Sequence, residues 1–303
     1  MWRYFVKRIA LAIVTVFAVM AITFFAMNAI PGGPFDTEKA SEPAVKAKLE
    51  ERFNLDKPVG EQFVLYIGRL FQGDLGISMR NGREISLIIK QSFAISAKLG
   101  GISALVAISL GLTLGIIAAR YRNKWPDRVI IFFTTLLQSV PSFVLATLLL
   151  LVFTTQLKLI VAWDANKVNY LLPVISLAMY PMAYITRLTK SSMLDVMNED
   201  YIRTARAKGV PRLSVTYKHG LRNALLPVIT YIGPMIAYIL VGSMVVETVF
   251  TIGGLGQEFV NSVNNRDYSM IMGTTIFLSI IMVTMNLISD LVYKVVDPRI
   301  DFS

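Results

Sequence analysis

The chain has 303 residues, 54% of them hydrophobic and only 17% charged, with 30 Lys and Arg against 20 Asp and Glu for a net charge of +10. A soluble domain has about a quarter of its residues charged, so a water-soluble globular protein is excluded as a class. The absence of cysteine excludes disulfides and thiolate metal sites.

Six stretches contain no charge at all: residues 9–30, 99–119, 129–155, 168–186, 224–246 and 270–289. A helix needs roughly 20 apolar residues to cross the hydrocarbon core, and a charge at mid-bilayer costs at least about 2.5–3.5 kcal/mol. Six uninterrupted windows of this length therefore predict an all-α integral membrane protein with six transmembrane helices. The first window follows Arg3, Lys7 and Arg8. It is longer than a signal-peptide core, and Ala29-Ile30-Pro31 is a poor cleavage site, so it reads as a retained span.

Pro31-Gly32-Gly33-Pro34 ends that span, because proline cannot continue a helix and glycine disfavours it. Ser41 as N-cap and Pro43 in the first turn then open a helix running toward Asn54, and a second helix begins near Pro58. Phe63, Tyr66, Ile67, Leu70 and Phe71 give that second helix one apolar face. The face packs on the bundle or on the outer membrane surface, or else it is a docking platform for an extracytoplasmic binding protein. Gly73-Asp74-Leu75-Gly76 is a turn, since no Lys-Ser or Lys-Thr completes a phosphate loop.

Gly111 and Gly115 in span two permit close approach of another helix. Span three holds Gln138-Ser139-Val140-Pro141-Ser142, where proline kinks the helix and the polar side chains face the bundle interior or a wet pathway. Gln138, Ser139, Pro141 and Ser142 are the candidate path-lining residues. Pro173 and Pro181 interrupt span four, and Pro227, Gly233, Pro234 and Gly242 interrupt span five. No ionisable residue lies at mid-membrane depth, where a proton-coupled transporter needs a relay. Asp290 has the spacing to pair with Lys294, and the single His219 supports neither a triad nor a metal site.

Basic residues set the orientation. Seventeen of them lie at the N-terminus, between Arg120 and Arg128, between Arg187 and Arg222, and at the C-terminus, against Lys158, Lys167 and Arg266 in the two short loops on the other side. The positive-inside rule then places both termini and the loop at 187–223 in the cytoplasm. It accounts for the net charge without nucleic acid.

The loop at 187–223 is the most informative segment. Asn198 is a suitable N-cap, Glu199 and Asp200 complement the helix dipole, and Arg206 and Lys208 occupy the last turn. Gly209 suits a left-handed C-terminal position and Pro211 prevents continuation. A helix of about ten residues results, with Tyr201, Thr204, Ala205 and Lys208 on one face, small enough at its centre for a partner surface to approach. A second helix, from Leu213 to Ala224, returns the chain to the membrane at Leu226-Pro227.

Ala205, Gly209 and Leu226-Pro227 in this loop resemble the EAA loop of ABC importer permeases of type I, with Arg203 and Thr204 standing where that pattern has glutamate and alanine. The run from Tyr201 to Gly209 is similar to the form in the peptide and nickel branch. So are Arg3-Tyr4 with Lys7-Arg8, Pro31 to Pro34, Leu55-Asp56-Lys57-Pro58, Gly73 to Gly76, Val140-Pro141-Ser142-Phe143, Glu247-Thr248-Val249-Phe250, Gly253-Gly254-Leu255-Gly256 and Asp297-Pro298-Arg299. The chain as a whole resembles the first of the two permeases in oligopeptide and dipeptide importers.

The resemblance implies a non-catalytic subunit of a bacterial or archaeal cell membrane, with no cofactor of its own. ATP and Mg would sit on two partner ATPases, beside a second permease and an extracytoplasmic binding protein. Asp200, Tyr201, Thr204, Ala205, Ala207, Lys208 and Gly209 would couple to the ATPases. Glu247, Gly253, Gly254 and Gly256 would form an outer gate or touch the binding protein. Residues 1–30 would form the first span, 31–93 an extracytoplasmic region, 94–293 the core permease domain and 294–303 a cytoplasmic tail. Peptide is the expected substrate, with nickel, glutathione or oligosaccharide as alternatives and an ion-coupled secondary transporter as the competing class.

Overall fold

In a computed structural model of the chain, residues 2–36, 43–160, 163 and 169–296 are described. Among them there is no strand, only an isolated bridge between Ile77 and Glu84. Among the described residues five helices are long and apolar enough to cross a membrane alone, and a bent pair makes six if its two arms form one span. The expected Ser41 cap, the Asp290–Lys294 pair and the Asp297-Pro298-Arg299 ending lie outside the described residues or side chains.

The chain divides into two compact units. The first comprises the residues up to Ile95 together with Gly253–Val283. It contains α1 (Trp2–Ala29), α2 (Pro43–Arg52), α3 (Val59–Phe71), the start of α4 (Ile85–Arg120), α13 (Leu255–Asn264) and the first half of α14 (Tyr268–Val296). Its core joins Met20, Phe24 and Met27 of α1 to Tyr66 of α3 and to Tyr268, Ile271, Met272 and Ile276 of α14. The apolar face expected for α3 is therefore used inside the bundle: Phe63, Ile67 and Leu70 flank this core. Phe71 does not join them and is 89% exposed. It is the last residue of α3, and eight residues beyond Phe63 it has drifted about 80° off the face at 3.6 residues per turn.

The second unit comprises Ser96–Ile252 and the residues from Thr284. Here α4 packs on α7 (Leu171–Val196) through glycine. A Cβ on Gly111 would lie 2.7 Å from Ile185 Cβ, and one on Gly115 only 2.5 Å from Thr189 Cβ. The two glycines set the helix separation, as their spacing predicts.

Span three is broken, not merely kinked. α5 (Trp125–Ser139) and α6 (Ser142–Leu149), which continues as a π-helical turn over Leu150–Gln156, meet at 102°. Val140 and Pro141 are both extended, with ψ of 125° and 140°; proline drives Val140, the residue before it, out of the helical region, and Pro141 is the non-helical N-cap of α6. Span four departs from expectation at its other end. α7 runs on to Val196, so Arg187 and Lys190 belong to the helix and the loop proper starts ten residues later than its charges implied. Lys190 Nζ meets Asp127 Oδ1 of α5 at 2.5 Å, and the Asn123 N–H donates to Asp127 Oδ2 at 2.9 Å. The ion pair fastens the first turn of α5 to the C-terminal part of α7, and the Asn123 bond holds the carboxylate in place.

Candidate functional site

The segment singled out in the loop forms α8 (Asp200–Ala207), two residues shorter than predicted. Its N-cap is Glu199, not Asn198. Asn198 instead belongs to the turn that closes α7, where its N–H donates to Asp195 O at 3.1 Å. The C-terminal end follows the sequence reading closely. Gly209 has φ of +76°, the Gly209 N–H donates to Arg206 O at 3.0 Å and the Val210 N–H to Ala205 O at 3.2 Å. This pair of bonds is a Schellman cap, which needs the left-handed residue that glycine supplies without strain.

The helix is turned differently from expectation. Ile202 is fully buried and Ala205 nearly so, against Val215, with Met197 and Val210 around them. Ala205 therefore packs inward and is not on the presented surface. That surface comprises Asp200, Arg203, Thr204, Ala207, Lys208 and Gly209, all exposed. Tyr201 is half exposed, and its hydroxyl accepts a hydrogen bond from Asn223 Nδ2 at 2.7 Å. Ile202 and Asn223 were missed from sequence. Ile202 is the one large aliphatic residue of α8, and with Ala205 three positions on it marks the inner face.

The return from α8 is helical, as predicted, but not uniformly α. α9 (Arg212–Ser214) leads into a π-helical stretch over Val215–Leu221 and then α10 (Arg222–Ala224), before α11 (Leu226–Gly242) begins. His219 lies half-buried within the π stretch.

The four candidate path residues are split. Gln138 Oε1 accepts from Arg187 Nη1 of α7 at 2.7 Å. Ser139 Oγ donates to Thr135 O of its own helix at 2.9 Å. Pro141 and Ser142 are exposed at the break. Arg187 was not foreseen as a member of this group, because it was counted as a loop residue.

The outer candidates lie largely inside the protein. Glu247, in α12 (Met244–Val249), is fully buried and accepts from Ser96 Oγ of α4 at 2.6 Å and from Ser243 Oγ. These bonds tie α12 to α4 inside the second unit. In the first unit Gly254 and Gly256 are buried at the start of α13, and Gly253 is half-buried.

The Pro31–Pro34 stretch and the segment just beyond the Gly73–Gly76 turn instead meet residues 265–270 in the first unit. Arg266 Nη1 donates to Pro31 O at 2.9 Å, and Arg80 donates to Pro34 O and Asn265 O at 2.7 Å each. Ser78, just beyond the glycine turn, donates to Asp267, which also accepts from the Met79 and Met270 N–H groups at 3.1 Å. Gly32 has φ of +93°, and a Cβ there would strike the Arg266 guanidinium. The ion pair with Lys46 and the Gly33 N–H hold the Asp36 carboxyl below the usual carboxylate range, and Asp36 in turn raises Lys46. Burial pushes the Glu258 carboxyl of α13 up, partly opposed by Arg83.

Residues 111–302 match the family described as binding-protein-dependent transport system inner membrane component, and residues 1–99 match the N-terminal family of the membrane component of such systems. The chain is 42% identical to the dipeptide transport system permease protein DppB of Bacillus subtilis, over 99% of this chain and 98% of that protein. It is 38% identical to the oligopeptide transport system permease protein OppB of Haemophilus influenzae, over the whole of both. Among solved structures it resembles the MetNI methionine ABC transporter in inward-facing conformations, with a TM-score of 0.56 and 15% identity over 70% of this chain and 97% of that one. An amino acid ABC transporter with histidines gives a TM-score of 0.53, also at 15% identity, over 71% and 95%. At that identity the likeness is one of fold.

Proposed function

The chain belongs to the family of binding-protein-dependent transport system inner membrane components, and on that premise we propose that it forms half of the path by which peptides enter the cell. It is a permease subunit of an ABC importer and a multi-pass protein of the plasma membrane, and ATP hydrolysis resides on partner ATPases. An importer of this kind works with ATPase and substrate-binding partners. In our reading these are a second, similar permease, two ATPase subunits that carry ATP and Mg, and a binding protein outside the membrane. Both termini and α8 lie in the cytoplasm, as the distribution of basic residues requires.

The observation that carries this reading is α8 itself. It is capped at its C-terminus by a Schellman motif and packed on a small core of its own chain, while one charged face is left open. Closure of the ATPase pair on ATP would draw such a helix inward and open the outer mouth for peptide released by the binding protein. The shift that the ATPases can impose on the permease is at most the difference in interaction free energy of α8 between the two states.

The chain lacks cysteine, so a single cysteine at exposed Ala207 can be crosslinked in native membranes and its adduct identified by mass spectrometry. An ATPase subunit, captured in an ATP-dependent manner, is the expected product. Efficient labelling of Ala207→Cys with intact uptake and no ATPase adduct would remove α8 from the coupling role.

A further inference from the structure

α7 is the most buried of the candidate spans, and what it leaves exposed is unusual. Between Leu172 and Lys190 its exposed residues are Tyr180, Tyr184 and Arg187, which at spacings of four and three form one stripe. Beyond Lys7, the exposed side chains of α1 are almost all of another kind, among them Ile9, Leu11, Ile13, Val14 and Phe17, with Thr15 bonded to its own backbone. That is the surface a helix shows to the hydrocarbon core, which offers no hydrogen-bond partner to a phenol or a guanidinium.

A second helix continues the stripe. Tyr231 of α11 stacks on Tyr184 with ring centroids 4.2 Å apart, and Tyr238, seven residues further on, is 61% exposed. Below them Gln138 of α5 accepts one N–H of Arg187. Four tyrosines from two helices and a cation anchored on a third thus share one face of the second unit.

We propose that this face lines the translocation path and that Arg187 receives the terminal carboxylate of the peptide in transit. The proposal rests on the peptide-import reading above and names the residues that reading leaves unassigned. A phenolic hydroxyl both donates and accepts, so the tyrosines pair with amide N–H or C=O groups of any peptide, whatever its side chains. A guanidinium is planar, always charged and able to hold a carboxylate by two parallel hydrogen bonds. Gln138 occupies only one of its five N–H groups and fixes its direction. Backbone amides and a free carboxylate are the features common to all peptides, and this face matches both.

The test uses the complete transporter in proteoliposomes, with its binding protein saturated by a peptide bearing a free C-terminus or by the same peptide amidated. Wild type should import the acid faster. Arg187→Gln should slow the acid by about tenfold or more, the worth of a lost charge-assisted contact, and slow the amide far less, so the acid-to-amide ratio falls. Arg187→Lys should keep part of the preference. Equal slowing of both peptides, or an unaltered ratio, would overturn the assignment of Arg187, provided binding-protein-stimulated ATP hydrolysis persists.

If Arg187→Gln fails to assemble, Tyr184→Cys in this cysteine-free chain decides. A charged thiosulfonate should modify it, and transported peptide should protect it; absence of modification with and without ATP would overturn the wet face. A wild-type complex that imports neither peptide, yet has Tyr184→Cys protected by another carboxylate-bearing solute, would defeat the peptide reading and retain the site.

Discussion

Thr204 and Ala205 are neighbours in α8 with opposite surroundings, and Leu in place of each separates docking within the chain from contact with a partner. Ala205 is 9% exposed, beside Ile202 at 0% and Val215 at 1%. Burying one such aliphatic side chain is worth about 1.5–3 kcal/mol, so this small cluster supplies most of what holds α8 to the rest of the chain. Ala205→Leu forces three more carbons into it, and overpacking of that size costs about 1–3 kcal/mol. At 1.4 kcal/mol per decade, the population with α8 undocked rises about 5- to 150-fold. Thr204→Leu lies on the open face and changes stability by about 0.5 kcal/mol or less. Hydrogen exchange of the α8 amides in the assembled transporter, followed by mass spectrometry, reads that population directly. Exchange should accelerate in Ala205→Leu and stay at the wild-type rate in Thr204→Leu, although uptake falls in both. If Ala205→Leu left exchange unchanged while uptake fell, the inward orientation of Ala205 would be refuted and the residue returned to the partner surface.

Other outcomes follow from single positions. Gly209→Ala places a Cβ in open space but at φ of +76°, a strain of about 1 kcal/mol; it should loosen the C-terminal turn of α8 by about fivefold in the same exchange measurement. Gly115→Val should lower the melting temperature and yield of the solubilised complex, since even its Cβ would stand 2.5 Å from Thr189 Cβ and 2.8 Å from Thr186 O, whereas Gly101→Ala meets nothing within 4 Å and should be neutral or stabilising. Glu258 has its folded pKa raised above 4.5 by burial, so the folded state loses stability as pH rises from 4.5 through the folded value. Glu258→Gln should therefore be the more stable protein at neutral pH, with the advantage disappearing below pH 4.5 in thermal unfolding across pH.

The spans and the loop helix were legible because their signals are local. Charge-free length locates five helices and the bent pair, the spacing of Gly111 and Gly115 announces close packing, and Gly209 with Pro211 announces the end of α8. Misreadings arose where tertiary neighbours decide. Arg187 and Lys190 look like the start of a loop by charge, yet each has a partner on α5, Gln138 and Asp127, and those contacts keep both residues within the helix. Glu247 looks like a boundary residue at the end of a hydrophobic run, but two serines, one of them 151 positions away, allow its burial. Pro141 predicts a kink; the size of the bend follows from Val140 and Pro141 both being extended. The tyrosine stripe was invisible for another reason: a tyrosine at helical spacing reads as core until the burial of its neighbours shows which face remains open.

The placement of prolines connects the two ends of the second unit. Residues 197–199 separate α7 from α8, and each donates its N–H back into α7: Met197 to Met193 O, Asn198 to Asp195 O and Glu199 to Val196 O. A pull on α8 is therefore not absorbed in that connection. On the other side the Tyr201–Asn223 hydrogen bond and the Ile202–Val215 contact tie α8 to the helical return into α11. Each of these two spans has one interior proline, Pro181 in α7 and Pro234 in α11. Proline removes an intrahelical hydrogen bond, worth about 1 kcal/mol net, and so lowers the cost of bending at that level relative to any other turn. Pro181 stands between Tyr180 and Tyr184, and Pro234 between Tyr231 and Tyr238. If α8 moves as proposed, the turns that yield most easily are those that carry the polar face, and its displacement would reach the place where the peptide would be held.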